Sequence, residues 1–298
     1  MAGSPRIRWL IGTVGVTAMV AVSSAVTTGG AGAASTAGVY NARAAKLVPA
    51  SLRHVTIQVA TDATYAPDEF MRGNTMVGFD IDLMNAIAKT LGITVHANNV
   101  TFDNIIPGIK AGHYVIGNSS FTDNKAREKQ VNFVDYFQAG EGVYAKKSSK
   151  VTFTGLKSFC GHKVAVETGT VEQTDAQSVA KSCPSGKKVT VLTFPTQTEA
   201  NTAVASGQAD MGFLDSQIAG YVVATSKGKF KLVGKAVNVA PYGIATPKTT
   251  AGAGLARAIE AALKVLYKNG TYKAILTHWG VQAGALPLSK ITINGALS

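Results

Sequence analysis

Thr61-Asp62-Ala63-Thr64-Tyr65-Ala66-Pro67, followed by Gly78-Phe79-Asp80-Ile81-Asp82-Leu83, decides the fold. The first stretch ends an alternating run in which Val55, Ile57 and Val59 share one face, the period of a strand. The second opens a helix. Asp80 reads as its N-cap, Leu83, Ile87 and Leu91 fall on one side, and Gly92 is a C-terminal stop. Strand, turn and helix together place the acid Asp62 and the ring of Tyr65 at the C-terminal edge of a sheet, where open α/β folds bind small molecules.

The same alternation continues outward. Strands at 93–97 and 115–117 and a short helix at 103–111 complete a βαβαβ unit, which implies a parallel sheet with helices on both faces. A second unit begins at 163–166 and runs through a helix at 170–182, a strand at 189–193, a helix at 199–205, a strand at 209–214 and a helix at 216–224. Between the units, 133–146 is extended and contains Gly140 and Gly142, and a second extended stretch, 231–246, returns. Helices at 254–268 and 271–278 follow. The fold class is therefore α/β: two doubly wound lobes joined by a two-segment hinge, with a cleft between them as the natural ligand site.

Bulk properties narrow the possibilities. A chain of 298 residues suits two domains, and 46% apolar content suffices for a core in each. The net charge of +12 does not imply nucleic-acid binding. The basic residues are scattered, and the densest groups, Lys146-Lys147 with Lys150 and Lys187-Lys188, are short and lack interleaved aromatics. At the N-terminus Arg6 and Arg8 precede an apolar run at 9–22 and then small residues up to Ala33-Ala34. That is the pattern of a cleaved export signal. A retained anchor is the competing reading, but Gly12, Thr13, Gly15 and Thr17 interrupt the run and leave it short for a span. No cysteine occurs there, so there is no lipobox. The chain's two cysteines, Cys160 and Cys183, are an even count in an exported chain and suggest a disulfide, with two free thiols as the alternative. The five histidines show no metal-ligand spacing, and no nucleophile elbow, P-loop or dinucleotide fingerprint is present. No metal or cofactor is expected.

Three further stretches carry chemistry. Gly117-Asn118-Ser119-Ser120-Phe121-Thr122 precedes Lys125-Ala126-Arg127-Glu128 and the strand Val131-Asn132-Phe133-Val134-Asp135-Tyr136-Phe137. The planar fork of Arg127 suits a carboxylate, although a surface arginine paired with a nearby acid is the simpler reading of that residue alone. In Val164-Ala165-Val166-Glu167-Thr168-Gly169-Thr170-Val171, a glycine turn feeds a helix and leaves backbone N–H groups free for an anion. In Asp210-Met211-Gly212-Phe213-Leu214-Asp215, the last acid ends an apolar strand, where it can receive an ammonium or cap the next helix.

These four motifs, in this order, resemble the polar amino-acid substrate-binding proteins that feed ABC importers, extracellular solute-binding protein family 3. The resemblance covers about residues 55–280 and implies the class II periplasmic-binding-protein architecture. Lobe one is then 52–141 plus 238–280 and lobe two 142–237, preceded by a signal at 1–34 and a linker at 35–51 and followed by a tail at 281–298. It implies that Arg127 and the Ser120 hydroxyl hold an α-carboxylate, clamped from the second lobe by the N–H groups of Thr170 and Val171 at the Gly169 turn. The Asn118 carbonyl and Asp215 receive the ammonium, and Tyr65 and Phe102 sandwich the aliphatic part. Asp62 faces the side-chain end, which points to a polar or basic amino acid. The Gly117-to-Arg127 spacing is two residues longer than in histidine- and lysine-type members, so the register of Asn118, Ser119 and Ser120 stays open. Val171 replaces a hydroxyl found in many members and keeps only a backbone role. Asp68 and Glu69 are expected on a solvated loop. The implied partners are a free amino acid and the permease subunits of an importer, with the protein exported, monomeric and not an enzyme. The competing reading is an enzyme on the same architecture, a dehydratase of cyclic prephenate-like acids, with Glu167 or Glu141 as the acid. A sensory module is a third, disfavoured by the absence of a downstream domain in this sequence.

Overall fold

The computed structural model describes residues 38–296, so the signal reading of 1–34 lies outside the described residues. After a short helix α1 (Ala42–Ala45), strand β1 (Thr56–Thr61) leads into a small antiparallel sheet of β2 (Thr64–Tyr65), β3 (Glu69–Arg72) and β4 (Thr75–Val77). Helix α2 (Phe79–Leu91), β5 (Thr94–Asn99), α3 (Phe102–Lys110), β6 (Ile116–Gly117) and α4 (Lys125–Glu128) follow, and then the long strand β7 (Val131–Lys146). The second lobe holds β8 (Lys163–Glu167), α5 (Val171–Ser182), β9 (Thr190–Phe194), α6 (Gln197–Ser206), β10 (Met211–Asp215), α7 (Ser216–Thr225) and β11 (Phe230–Leu232). Strand β12 (Val237–Pro247) returns to the first lobe, which α8 (Thr250–Lys268) and α9 (Thr271–Trp279) complete.

Each lobe has the expected parallel core: β5, β1 and β6 in one, and β9, β8 and β10 in the other. The join is antiparallel. β12 pairs with β6 and with the first part of β7, and the second part of β7 pairs with β10 and β11. The hinge is thus a ladder rather than a pair of loops, and one sheet of nine strands runs through both lobes. The expected boundary at 141/142 falls inside β7. The β12–β7 register slips twice, between Val237 and Ala240 and between Tyr242 and Gly243. Gly140 lies at the first slip, where an added Cβ would sit 2.8 Å from the carbonyl oxygen of Val237.

Burial follows the periodicities. Leu83, Ile87 and Leu91 of α2 pack with Leu255, Ile259, Leu263 and Leu266 of α8 in the main core of the first lobe, as an amphipathic pair should. Val164, Val166, Phe159 and Phe213 form the corresponding core of the second. Cys160 and Cys183 are joined as a disulfide, with Cα atoms 5.6 Å apart, tying the start of β8 to the end of α5.

Four local expectations need correction. Residues 38–51, read as a linker, dock onto the first lobe: Asn41 caps α1, its N–H donates to the Thr90 carbonyl, and Ala44 and Val48 are buried. The stretch at 64–77 forms the small sheet instead of a solvated loop, so Asp68 and Glu69 are fully buried. The N-cap of α2 is Gly78, at φ 141°, because an added Cβ would strike the Asp68 carbonyl. Asp80 turns inward from the first helical turn and accepts from the Tyr136 hydroxyl and the Ser120 N–H. Finally, residues 281–296 are not a loose tail. Val281, Leu286 and Ile291 are buried, Asp135 N–H donates to the Thr292 carbonyl, and Asn294 exchanges two hydrogen bonds with the Phe133 backbone.

Candidate functional site

The C-terminal ends of the core strands converge where the lobes meet. From the first lobe, the end of β1 supplies Asp62, β2 supplies Tyr65, the first turn of α3 supplies Phe102, the turn after β6 supplies Ser119, Ser120 and Thr122, and α4 supplies Arg127. From the second, β8 supplies Glu167, the start of α5 supplies Thr170, Val171 and Glu172, and β10 supplies Asp215. These residues line a tightly shut chamber whose free volume is only about 10 Å³, roughly the room one water molecule needs.

The cleft is closed around it. Arg127, 9% exposed, donates from Nη1 to the Thr122 carbonyl and from Nη2 across the cleft to the Gly169 carbonyl, both at 2.9 Å. Its guanidinium sits 5.3 Å from the Phe102 ring centre and 5.5 Å from that of Phe121. Both bonds go to carbonyls, so the surface-pair alternative does not hold. The Tyr65 hydroxyl donates to Asp215 Oδ2 at 2.8 Å and accepts from the Asp215 N–H at 3.1 Å, linking β2 to β10 across the cleft. Gly169 has φ +84°, and an added Cβ would lie 2.9 Å from the Cβ of Asp103 in the opposite lobe. Only glycine fits that approach.

Most of the expected residues come together, with different local roles. Thr170 caps α5 by accepting from the Gln173 N–H and itself donates to the Glu167 carbonyl. Asp215 occupies the N-cap position of α7 but makes no side-chain cap bond. Its carboxylate turns to Tyr65, which leaves it available to the chamber. Ser119 donates to Glu69 and Ser120 to Asp68, so the Ser120 hydroxyl expected for a ligand carboxylate is already engaged. Ser120 adopts φ +47° and gives its N–H to Asp80. Asn118 is not on the chamber wall; its amide donates to the Asp80 carbonyl. Gly169 lies just outside and contributes its carbonyl to Arg127. Glu141, one proposed enzymatic acid, also lies outside the chamber and accepts from Asn238.

Thr122 and Glu172 were not expected on the wall, and Glu167 only as an enzymatic acid. Glu172 in the first turn of a helix looks like an ordinary dipole-compensating acid, and no signal in the sequence distinguishes it.

The chamber is acidic: Asp62, Glu167, Glu172 and Asp215 against the single cation Arg127. Burial raises Asp62 above the usual carboxylate range and pushes Asp215 up to about 6, the latter partly offset by hydrogen bonds from Tyr242 and Tyr65. Burial lowers Arg127 to about 10, where it remains cationic at neutral pH.

The buried acids elsewhere set the pH dependence of stability. Burial pushes Asp80 up to about 6, and Asp135 and Glu141 up to about 8. A folded-state value above the unfolded one means that the native state holds the extra protons, so stability present in acid is lost as pH rises through the folded value. The melting temperature of the ligand-free protein should therefore fall from about pH 4 to about pH 8, between the unfolded and folded values of these acids, and level off above. A melting temperature flat across that range would show that these acids ionise freely in the native state.

Two α/β lobes closed on a charged chamber by a two-stranded hinge define a class II periplasmic-binding protein. Residues 57–282 match the model of the bacterial extracellular solute-binding proteins, family 3, and the chain belongs to that family. It is 30% identical over 245 residues to the arginine-binding protein ArgT of Corynebacterium glutamicum, covering 80% of this chain and 79% of that one. It is 35% identical over 207 residues to the ABC transporter glutamine-binding protein GlnH of Bacillus subtilis, covering 68% and 72%. The solved structure of an ancestral arginine-binding protein bound to arginine superposes with a TM-score of 0.70 at 35% identity, covering 76% of this chain and 99% of that one. The members of this family are extracytoplasmic solute-binding proteins, and the matched relatives are named as binding proteins and not as enzymes. Among the described residues, no helix is long and apolar enough to cross a membrane.

Proposed function

We propose that the protein captures a polar α-amino acid between its lobes and delivers it, in the closed form, to the permease subunits of an ABC importer. The observation that carries this is the pairing of Arg127 with Asp215 in one closed chamber. A guanidinium fork and a carboxylate, both buried and each held by hydrogen bonds, match the two charges of an amino-acid backbone. The N–H groups of Thr170 and Val171 add donors on the carboxylate side, and Tyr65 and Phe102 cover the aliphatic part. Relatives named for arginine and for glutamine support the same ligand class.

Residues 1–34 act as a removed export signal without a lipid-bearing cysteine, and the Cys160–Cys183 disulfide suits the oxidising compartment outside the membrane. The lobes 52–141 with 238–280 and 142–237 close as two bodies in a monomer that binds no nucleic acid.

A thermal-shift screen against the common amino acids and prephenate-like acids tests this reading. A ligand that binds only the folded state raises the melting temperature by mass action. The expected result is a rise confined to a few polar amino acids, each recovered intact. Silence from every amino acid, or a compound that is consumed, would overturn it.

A further inference from the structure

Gln217 stands in the first turn of α7, two residues after Asp215, and its side chain crosses from the second lobe to the first. Its Nε2 donates to Asp68 Oδ2 at 2.9 Å and to the Tyr242 hydroxyl at 2.6 Å. Both partners are buried, Asp68 completely. None of the three lines the chamber. Asp68 Oδ2 also accepts from the Ser120 hydroxyl at 3.0 Å. The other oxygen, Oδ1, is buried and meets no donor, and neither does Oε1 of Gln217. As a carboxylate, Asp68 would thus be buried with one oxygen unsatisfied, which is costly. A proton on Oδ1 removes that cost. Oδ2 keeps both of its donors, and Oδ1 gains a hydrogen to give.

The groups around Asp68 also oppose its ionisation. Asp80 faces it from α2, Glu69 follows it in β3, and Asp215 approaches from β10. The phenols of Tyr136 and Tyr242 are its other titratable neighbours. Among the described residues, no lysine, arginine or histidine forms an ion pair with it. The closed form therefore holds Asp68 as a neutral acid. In an open cleft Gln217 departs, water reaches the carboxyl, and ionisation costs less.

We propose that Gln217, Asp68 and Tyr242 form a proton-dependent latch between the lobes, which holds the cleft shut while Asp68 is a neutral acid and loosens when it ionises. The inference rests on the reading of two lobes that close and is independent of which ligand they hold. It gives positioning roles in capture to three residues that stand off the chamber wall. A carboxyl that keeps its proton more tightly in the closed form favours closure fully below its open-form value. That preference is lost as pH rises through the closed-form value.

The test is small-angle scattering of the ligand-free wild type, Gln217→Ala and Asp68→Asn from about pH 5 to about pH 9, with calorimetric titration of arginine at the acid end. The wild type should be compact in acid and expand as pH rises. Gln217→Ala should be expanded throughout and bind arginine about tenfold more weakly than the wild type, the worth of the two hydrogen bonds lost. Gln217 is half-buried at a helix start, so its truncation spares the cores. In Asp68→Asn the amide offers one acceptor and one donor at every pH, so this variant should stay compact to a pH about one unit higher or more. Repulsion among the chamber acids alone would leave its midpoint where the wild type has it. A wild-type radius indifferent to pH, a midpoint that Asp68→Asn leaves in place, or a Gln217→Ala protein as compact as the wild type would each overturn the latch while leaving amino-acid capture intact. Failure of all three proteins to bind arginine, with the scattering as expected, would count against capture of that amino acid and leave the latch standing.

Discussion

Arg127→Ala should weaken amino-acid binding by about 100- to 1,000-fold, in line with truncation of one partner of a buried, hydrogen-bonded charge pair. Within its own lobe the guanidinium is held by the Thr122 carbonyl and the faces of Phe102 and Phe121, and on closure the Gly169 carbonyl joins from the other lobe. Little side-chain freedom is left to lose on binding, so most of its interaction with a carboxylate appears as affinity. The alanine variant also removes the bond to the Gly169 carbonyl, one of the polar links between the lobes. Arg127→Lys should fall between wild type and alanine, because a point charge cannot serve both carbonyls and a carboxylate in the fork geometry. Calorimetric titration with the ligand found by screening checks this. Wild-type affinity in a folded Arg127→Ala protein would remove Arg127 from the carboxylate site.

Asp215→Asn should separate binding from folding. The ligand ammonium loses its charged partner, and affinity should fall about 100-fold. The ligand-free protein should be as stable as the wild type or more so. Burial pushes Asp215 up to about 6, so at neutral pH the folded state carries a carboxylate that the unfolded chain would hydrate better. An amide removes that penalty and can still accept from the Tyr65 hydroxyl. Affinity and melting temperature measured on the same preparation decide the matter. Retained affinity would reject the ammonium role, and a large fall in melting temperature would make Asp215 a structural residue instead.

Much of this site is legible from local chemistry. The quoted turn places Asp62 and Tyr65 because a strand ending and a helix starting bracket them closely. The extended run with Gly140 and Gly142 announces β7, and Gly169-Thr170 announces the start of α5. The buried acids are a different matter. Asp68 is held by Ser120, 52 residues away, and Asp80 by Tyr136, 56 residues away. Nothing near Asp68 or Glu69 in the chain signals these partners, so two acids beside a proline turn look solvated. The docking of 38–51 and 281–296 escapes for a related reason. Short irregular segments have no period, and only the surface they cover shows why they are ordered.

The slips in the β12–β7 ladder separate two quantities that are often confounded. The ladder is irregular at Val237–Ala240 and at Tyr242–Gly243, and bending at those two points would let each half of the chamber keep its internal geometry while the halves part. The apparent dissociation constant is then the intrinsic one divided by the fraction of molecules in the competent form. A change at Gly140, which is not on the chamber wall, should alter that fraction and rescale the affinity for every ligand by one common factor. The ranking among ligands stays with the chamber walls. Overall potency and selectivity can therefore be tuned independently in this molecule, one at the hinge and the other at the chamber walls.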